Sequence, residues 1–189
     1  MKQRRKITTI QARDFVYLEG TEYILIDVEK GKQMIDHATF ESDNHLTTTY
    51  FSSACWRGYV AKYFVKNGML SVVKNPNDDD DIKTEEVSVN YTGSCVIAKG
   101  NGCHSDFLVC LFYFDEAFEL YFENGFLVEK LSLAPAIFEY RRIKETTILE
   151  KETMSHYDSR DFLYTLACKH LKYTYDRSSY KWRKRELDK

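Results

Sequence analysis

Cys55 stands in the run Ser52-Ser53-Ala54-Cys55-Trp56-Arg57-Gly58-Tyr59, where small residues precede the thiol and an arginine follows it closely. A neighbouring guanidinium lowers a thiol's pKa and raises its thiolate fraction, the form that acts as a nucleophile. Such a nucleophile also needs a positioned base, and no spacing assigns any of the five histidines to that role. The chain has no Gly-x-Ser-x-Gly, phosphate-cradling glycine loop or His-Glu-x-x-His. Cys55 therefore reads better as a core thiol, and the chain leans away from enzymes. Trp56, Arg57 and Tyr59 are of the types that dominate binding hot spots. With Cys55 they form the candidate binding stretch, set against a structural role in which Trp56 anchors the core and Arg57 pairs at its rim.

Metal chemistry fares less well. Cys95, Cys103, His104 and Cys110 lie near one another in sequence but form no Cys-x2–4-Cys knuckle, the usual mark of a zinc site. Asp78-Asp79-Asp80-Asp81 lacks the alternating ligands and the glycine of a calcium loop, and reads as a solvated acidic loop. No metal or other cofactor is expected. His170 falls among apolar positions of a helical pattern, where a packed histidine is commoner than a ligand.

The C-terminal tail interleaves aromatic and basic residues, with Lys181, Trp182, Arg183, Lys184 and Arg185 at its centre. Stacking rings with phosphate-binding cations can hold single-stranded nucleic acid. Glu186, Asp188 and a net charge of −2 weigh against that use. No window approaches the roughly 20 apolar residues of a membrane span. The polar Ile7-Thr8-Thr9-Ile10 after the basic start is too short for a signal-peptide core, so a cytoplasmic location with reduced thiols is expected.

The elements that must position these residues are mostly strands. Of the 189 residues, 15% are aromatic, 43% hydrophobic and 30% charged. That is ordinary globular usage leaning toward sheet, because rings and β-branched side chains suit a pleated, half-buried surface. Two Asn-Gly pairs are flanked by strand formers, Tyr59–Lys66 before and Met69–Val73 after the first, Phe118–Glu123 before and Phe126–Val128 after the second. Asn-Gly supplies the two positive φ angles of a type I′ hairpin turn. Lys66 should then face Met69, Val65 face Leu70, Tyr63 face Val72, and Phe122 face Leu127.

Upstream of each hairpin lies a strand–Gly–strand pattern, around Gly20 and around Gly93. The arrangement suggests one domain over 1–189 with an internal duplication of 12–74 and 87–131, set against mere recurrence of turn chemistry. Pro135 is expected to break the chain, with a strand or extended segment from Ile137 to Ile148. Phe162, Leu163, Leu166, Ala167, His170 and Leu171 follow helical spacing, predicting a C-terminal helix over about 158–175 that packs on the sheet. The expected class is α+β, mainly antiparallel.

The run from Ser52 through Cys55-Trp56-Arg57-Gly58-Tyr59 to Leu70 resembles a segment of a group of uncharacterised bacterial proteins, in which a Cys-Trp-Arg-Gly-Tyr motif leads into a strand, a turn and a second strand. The resemblance implies a bacterial source and no chemistry. With no catalytic motif and an aromatic-rich β domain, the leading expectation is a non-enzymatic protein-interaction domain of immunity or regulatory type. Its expected partner is another protein, and self-association stays open. A ligand pocket or enzyme site near Cys55 is the alternative, and nucleic-acid binding by the tail the third.

Overall fold

Glu19-Gly20, Asn67-Gly68 and Asn124-Gly125 all take positive φ, 52° and 79°, 52° and 77°, and 50° and 82°. Each pair turns one strand back on its predecessor. The structure, a computed structural model, describes residues 13–29, 34–35, 60–73, 86–100, 111–150, 166, 169–171, 173–176 and 181–184, with side chains left aside at 144–150, 173–176 and 181–184. The strands are β1 (Phe15–Leu18), β2 (Thr21–Val28), β3 (Lys62–Lys66), β4 (Met69–Val73), β5 (Glu86–Ser88), β6 (Gly93–Lys99), β7 (Glu116–Glu123) and β8 (Phe126–Ser132). Helix α1 (Ala134–Glu150) follows, then strands β9 (Tyr173–Asp176) and β10 (Lys181–Lys184).

The main sheet runs β3-β1-β2-β6-β7-β8-β4-β5, and a further β3–β4 pairing closes it into a barrel. All pairs are antiparallel except β1 with β3. The parallel contact is tied by Asp14, a buried carboxylate whose Oδ1 accepts the Ala61 N–H at 2.9 Å. Both Asn-Gly hairpins have the anticipated register, with Lys66 opposite Met69, Val65 opposite Leu70, Tyr63 opposite Val72 and Phe122 opposite Leu127.

Alternation along the strands produces two cores. Val16, Tyr63, Leu70, Ile97, Leu120 and Phe122 belong to the cluster that fills the barrel, whereas Val96, Ala98 and Ala117, on the opposite strand face, pack with Ala136 and Ile137 of α1. Leu166 and Leu171 complete this second layer. Strand β6 serves both, which is why every residue from Gly93 to Ala98 is buried. The fold is thus α+β, mainly antiparallel, with a helix packed on the sheet.

Three expectations need correction. The segment after Pro135 is helix α1 rather than a strand: proline in the first turn gives up an N–H that has no partner there and is preset at the helical φ. Its β-branched residues are weak helix formers, but Ala136, Ile137 and Tyr140 gain burial on the sheet. The helix expected over 158–175 is present at Leu166, Lys169 and His170 but not as far as 175, since 173–176 is strand β9, paired with β10 through Tyr175–Trp182 and Thr174–Arg183. Gly93 is no hairpin turn. Its φ of 154° is positive but far from the turn values of Gly20, Gly68 and Gly125, β5 pairs with β4, and β6 pairs with β2 and β7. Of the duplication expected for 12–74 and 87–131, the Asn-Gly hairpins match, and the Gly20 hairpin has no counterpart at Gly93.

Candidate binding site at the joined hairpin tips

The two Asn-Gly turns meet, and their meeting closes the barrel. The N–H of Leu70 donates to the Gly125 carbonyl at 2.8 Å, and the N–H of Leu127 donates to the Gly68 carbonyl at 2.7 Å. Met69 and Phe126, each the first residue after its turn, are direct neighbours across this seam. The chain entering β6 fastens the second tip from beneath: Gly125 donates its N–H to the Tyr91 carbonyl at 2.8 Å, and Asn124 donates its N–H to Thr92 Oγ1 at 2.9 Å. Val89 adds an N–H to the Leu70 carbonyl at 2.9 Å. A Cβ on Gly125 would lie 2.3 Å from the Val89 carbonyl oxygen, so only glycine allows this approach.

The seam has a dry side and a wet side. Leu70 and Phe122 are buried in the barrel, with Leu127 packed against them. Pleating then turns Met69 and Phe126 outward, where they are 45% and 53% exposed, with Val128 close by along β8 at 50%. Met69 and Phe126 thus stand together on a backbone fastened by at least five hydrogen bonds, and exposed Val128 follows two residues along β8, at the register shift. Exposed Glu123 sits opposite Phe126, and Lys66, opposite Met69, is committed to an ion pair with Glu86. The flank facing Phe126 is therefore acidic.

Elsewhere the titratable groups are structural. Burial pushes the Cys95 thiol far above its ordinary range, with Glu119 and Asp27 adding to the shift, so the thiol stays protonated and unreactive. Burial does the same to Tyr91, whose hydroxyl donates to the Ser94 carbonyl at 2.7 Å. Glu139 of α1 accepts from Lys169 at 2.8 Å and from His170 at 2.7 Å; these bonds hold its carboxyl below the ordinary value and tie the segment around Leu171 to the helix. His170 is therefore a packed, hydrogen-bonded residue. Among the described residues no group of three or more His, Cys, Asp or Glu could hold a metal ion. None of the helices described is long and apolar enough to cross a membrane.

Cys55, Trp56, Arg57 and Tyr59 lie outside the described residues, as do Cys103, His104, Cys110, the run Asp78–Asp81 and Arg185. Lys181, Trp182, Arg183 and Lys184 are placed by their backbone on β10. Sequence reasoning missed Met69, Phe126 and Val128. The signal for the first two was present, because the register that puts Leu70 and Leu127 inside must put their predecessors outside. What the sequence did not give was that the two tips are neighbours. No family model, curated protein or solved structure matches this chain.

Proposed function

We propose that the chain is a non-enzymatic interaction protein, of regulatory or immunity type, and that it engages its partner through the seam formed by Met69, Phe126 and Val128. The observation that supports this reading is the exposure of three large apolar side chains, 45–53% each, on a rigid barrel wall. Apolar side chains clustered on a fixed backbone offer burial at little cost in ordering. The partner is a different protein that presents an apolar surface with lysine or arginine at its rim. A second copy meeting the same patch would set Glu123 against its own equivalent, which opposes self-pairing.

The test is affinity capture from cells of the source organism with the wild-type chain and with Met69→Ser/Phe126→Ser. Both positions are half exposed, so the variant should retain its fold by circular dichroism. The proposal expects a stoichiometric partner that the variant loses. Equal recovery by both proteins would reject the seam as the contact.

A further inference from the structure

Strands β9 and β10 make a two-stranded sheet of their own, paired with each other and, among the described residues, with no strand of the barrel. Their register sets Tyr173 opposite Lys184, Thr174 opposite Arg183, Tyr175 opposite Trp182 and Asp176 opposite Lys181. Directly opposed residues share a face, and successive residues alternate between faces. One face of the ribbon therefore holds Tyr173, Tyr175, Trp182 and Lys184, and the other holds Thr174, Asp176, Lys181 and Arg183. Every aromatic residue of the two strands falls on the first face. In a helix continued to 175, Tyr173 and Tyr175 would stand on nearly opposite sides.

Charge is segregated as well. From Lys172 to Arg185 the sequence has six basic residues and one acidic, a net of +5, so the total of −2 leaves −7 on the rest of the chain. The balanced total conceals a local basic footprint of the kind that phosphates require. Aromatic rings accept any base by its π-face, and only unpaired bases offer that face, because in a duplex they are stacked on one another. A strand whose bases stack on such a row runs its phosphates along the border of the face. Lys181 and Arg183 are the neighbours of Trp182 on β10, and Lys184 shares its face.

We infer that the β9–β10 ribbon binds single-stranded nucleic acid, with bases on the face of Tyr173, Tyr175 and Trp182 and phosphates on Lys181, Arg183 and Lys184. The ribbon is separate from the hairpin seam and does not depend on the seam's role.

The full chain is titrated into fluorescein-labelled oligothymidine and oligouridine of about 15 nucleotides, a length that one small single-strand site can occupy, and into a labelled duplex of equal length. Binding is read by anisotropy. Vesicles of phosphatidylcholine and phosphatidylserine, read by co-sedimentation, test whether the basic aromatic ribbon seeks an anionic surface instead. Saturable binding to at least one single strand is expected, tighter than to the duplex, and the tighter of the two identifies DNA or RNA as the source. Between about 50 and 200 mM salt the affinity should fall about twentyfold, as three neutralised phosphates require. Trp182→Ala should weaken binding about tenfold. Trp182→Phe, which keeps a ring, should lose less, and Thr174→Ala, on the other face, should lose nothing. The inference is overturned if neither single strand saturates by about 100 μM at low salt, whether or not the vesicles bind. It is overturned equally if the duplex binds as tightly, if Trp182→Ala binds like the wild type, or if Trp182→Phe or Thr174→Ala loses as much as Trp182→Ala.

Discussion

Gly68 and Gly125 occupy the same position in two hairpins of the same type, with φ of 77° and 82°, and differ in what surrounds them. A Cβ at Gly68 would meet nothing within 4 Å. Gly68→Ala should therefore cost only the left-handed strain of an L-residue, about 1–2 kcal/mol, partly offset by the reduced freedom of the unfolded chain. A Cβ at Gly125 would lie 2.3 Å from the Val89 carbonyl oxygen. Relief requires the tip and the Val89 backbone to part by about 1 Å, since the repulsive wall is steep. That movement disrupts the bonds from Gly125 N–H to Tyr91 and from Leu70 N–H to Gly125, both 2.8 Å. At about 1 kcal/mol each, added to the common strain, the cost of Gly125→Ala becomes about 3–4 kcal/mol. Thermal unfolding followed by circular dichroism should then show a loss of about 2–4 °C for Gly68→Ala and about 8–12 °C for Gly125→Ala. Equal losses would refute the claim that the second tip is locked against the chain beneath it.

Other outcomes follow from the same structure. The Tyr17 hydroxyl, pushed up to about 12 chiefly by its hydrogen bond to Glu22, should fall toward 10 in Glu22→Ala, as ultraviolet titration of the phenol would show. Tyr23 is also raised to about 12, chiefly by burial. Both groups hold protons in the folded state that the unfolded chain releases near 10, so their contribution is complete below pH 10 and fades between 10 and 12, a loss measurable as alkaline destabilisation. Cys95 should resist alkylation in the native state and become reactive on unfolding, as read by mass spectrometry of its peptide. Glu139 holds its proton less tightly than an ordinary carboxylate, so its tie to Lys169 and His170 is complete at neutral pH and is lost as pH falls through the lowered value. A carboxyl-carbon titration should find that value restored toward normal in Lys169→Met/His170→Ala.

The local elements were legible in the sequence to different degrees, for physical reasons. Asn-Gly between strand formers fixes both turn and register over a few residues, and the pairs Val65–Leu70 and Phe122–Leu127 follow directly. Gly93 carries the same chemical signal as Gly20, but its φ of 154° is not that of a hairpin turn, because its segment finds better partners in β2 and β7. Pro135 reads as a break from sequence alone, whereas the buried surface waiting under Ala136 and Ile137 makes it a helix start. The seam required long-range information. Met69 and Phe126 are 57 residues apart in sequence (126 − 69), and only the closed barrel makes them neighbours.

The most direct test of the interaction reading is the affinity of a purified partner for the wild-type chain and for Met69→Ser/Phe126→Ser. The partner is the stoichiometric protein recovered by capture. Met69 and Phe126 are already about half buried, so covering what remains exposed is worth about 0.8–1.5 kcal/mol each. The account predicts that the variant, equally stable by thermal unfolding, binds at least about tenfold more weakly. An unchanged affinity in the folded variant would contradict it.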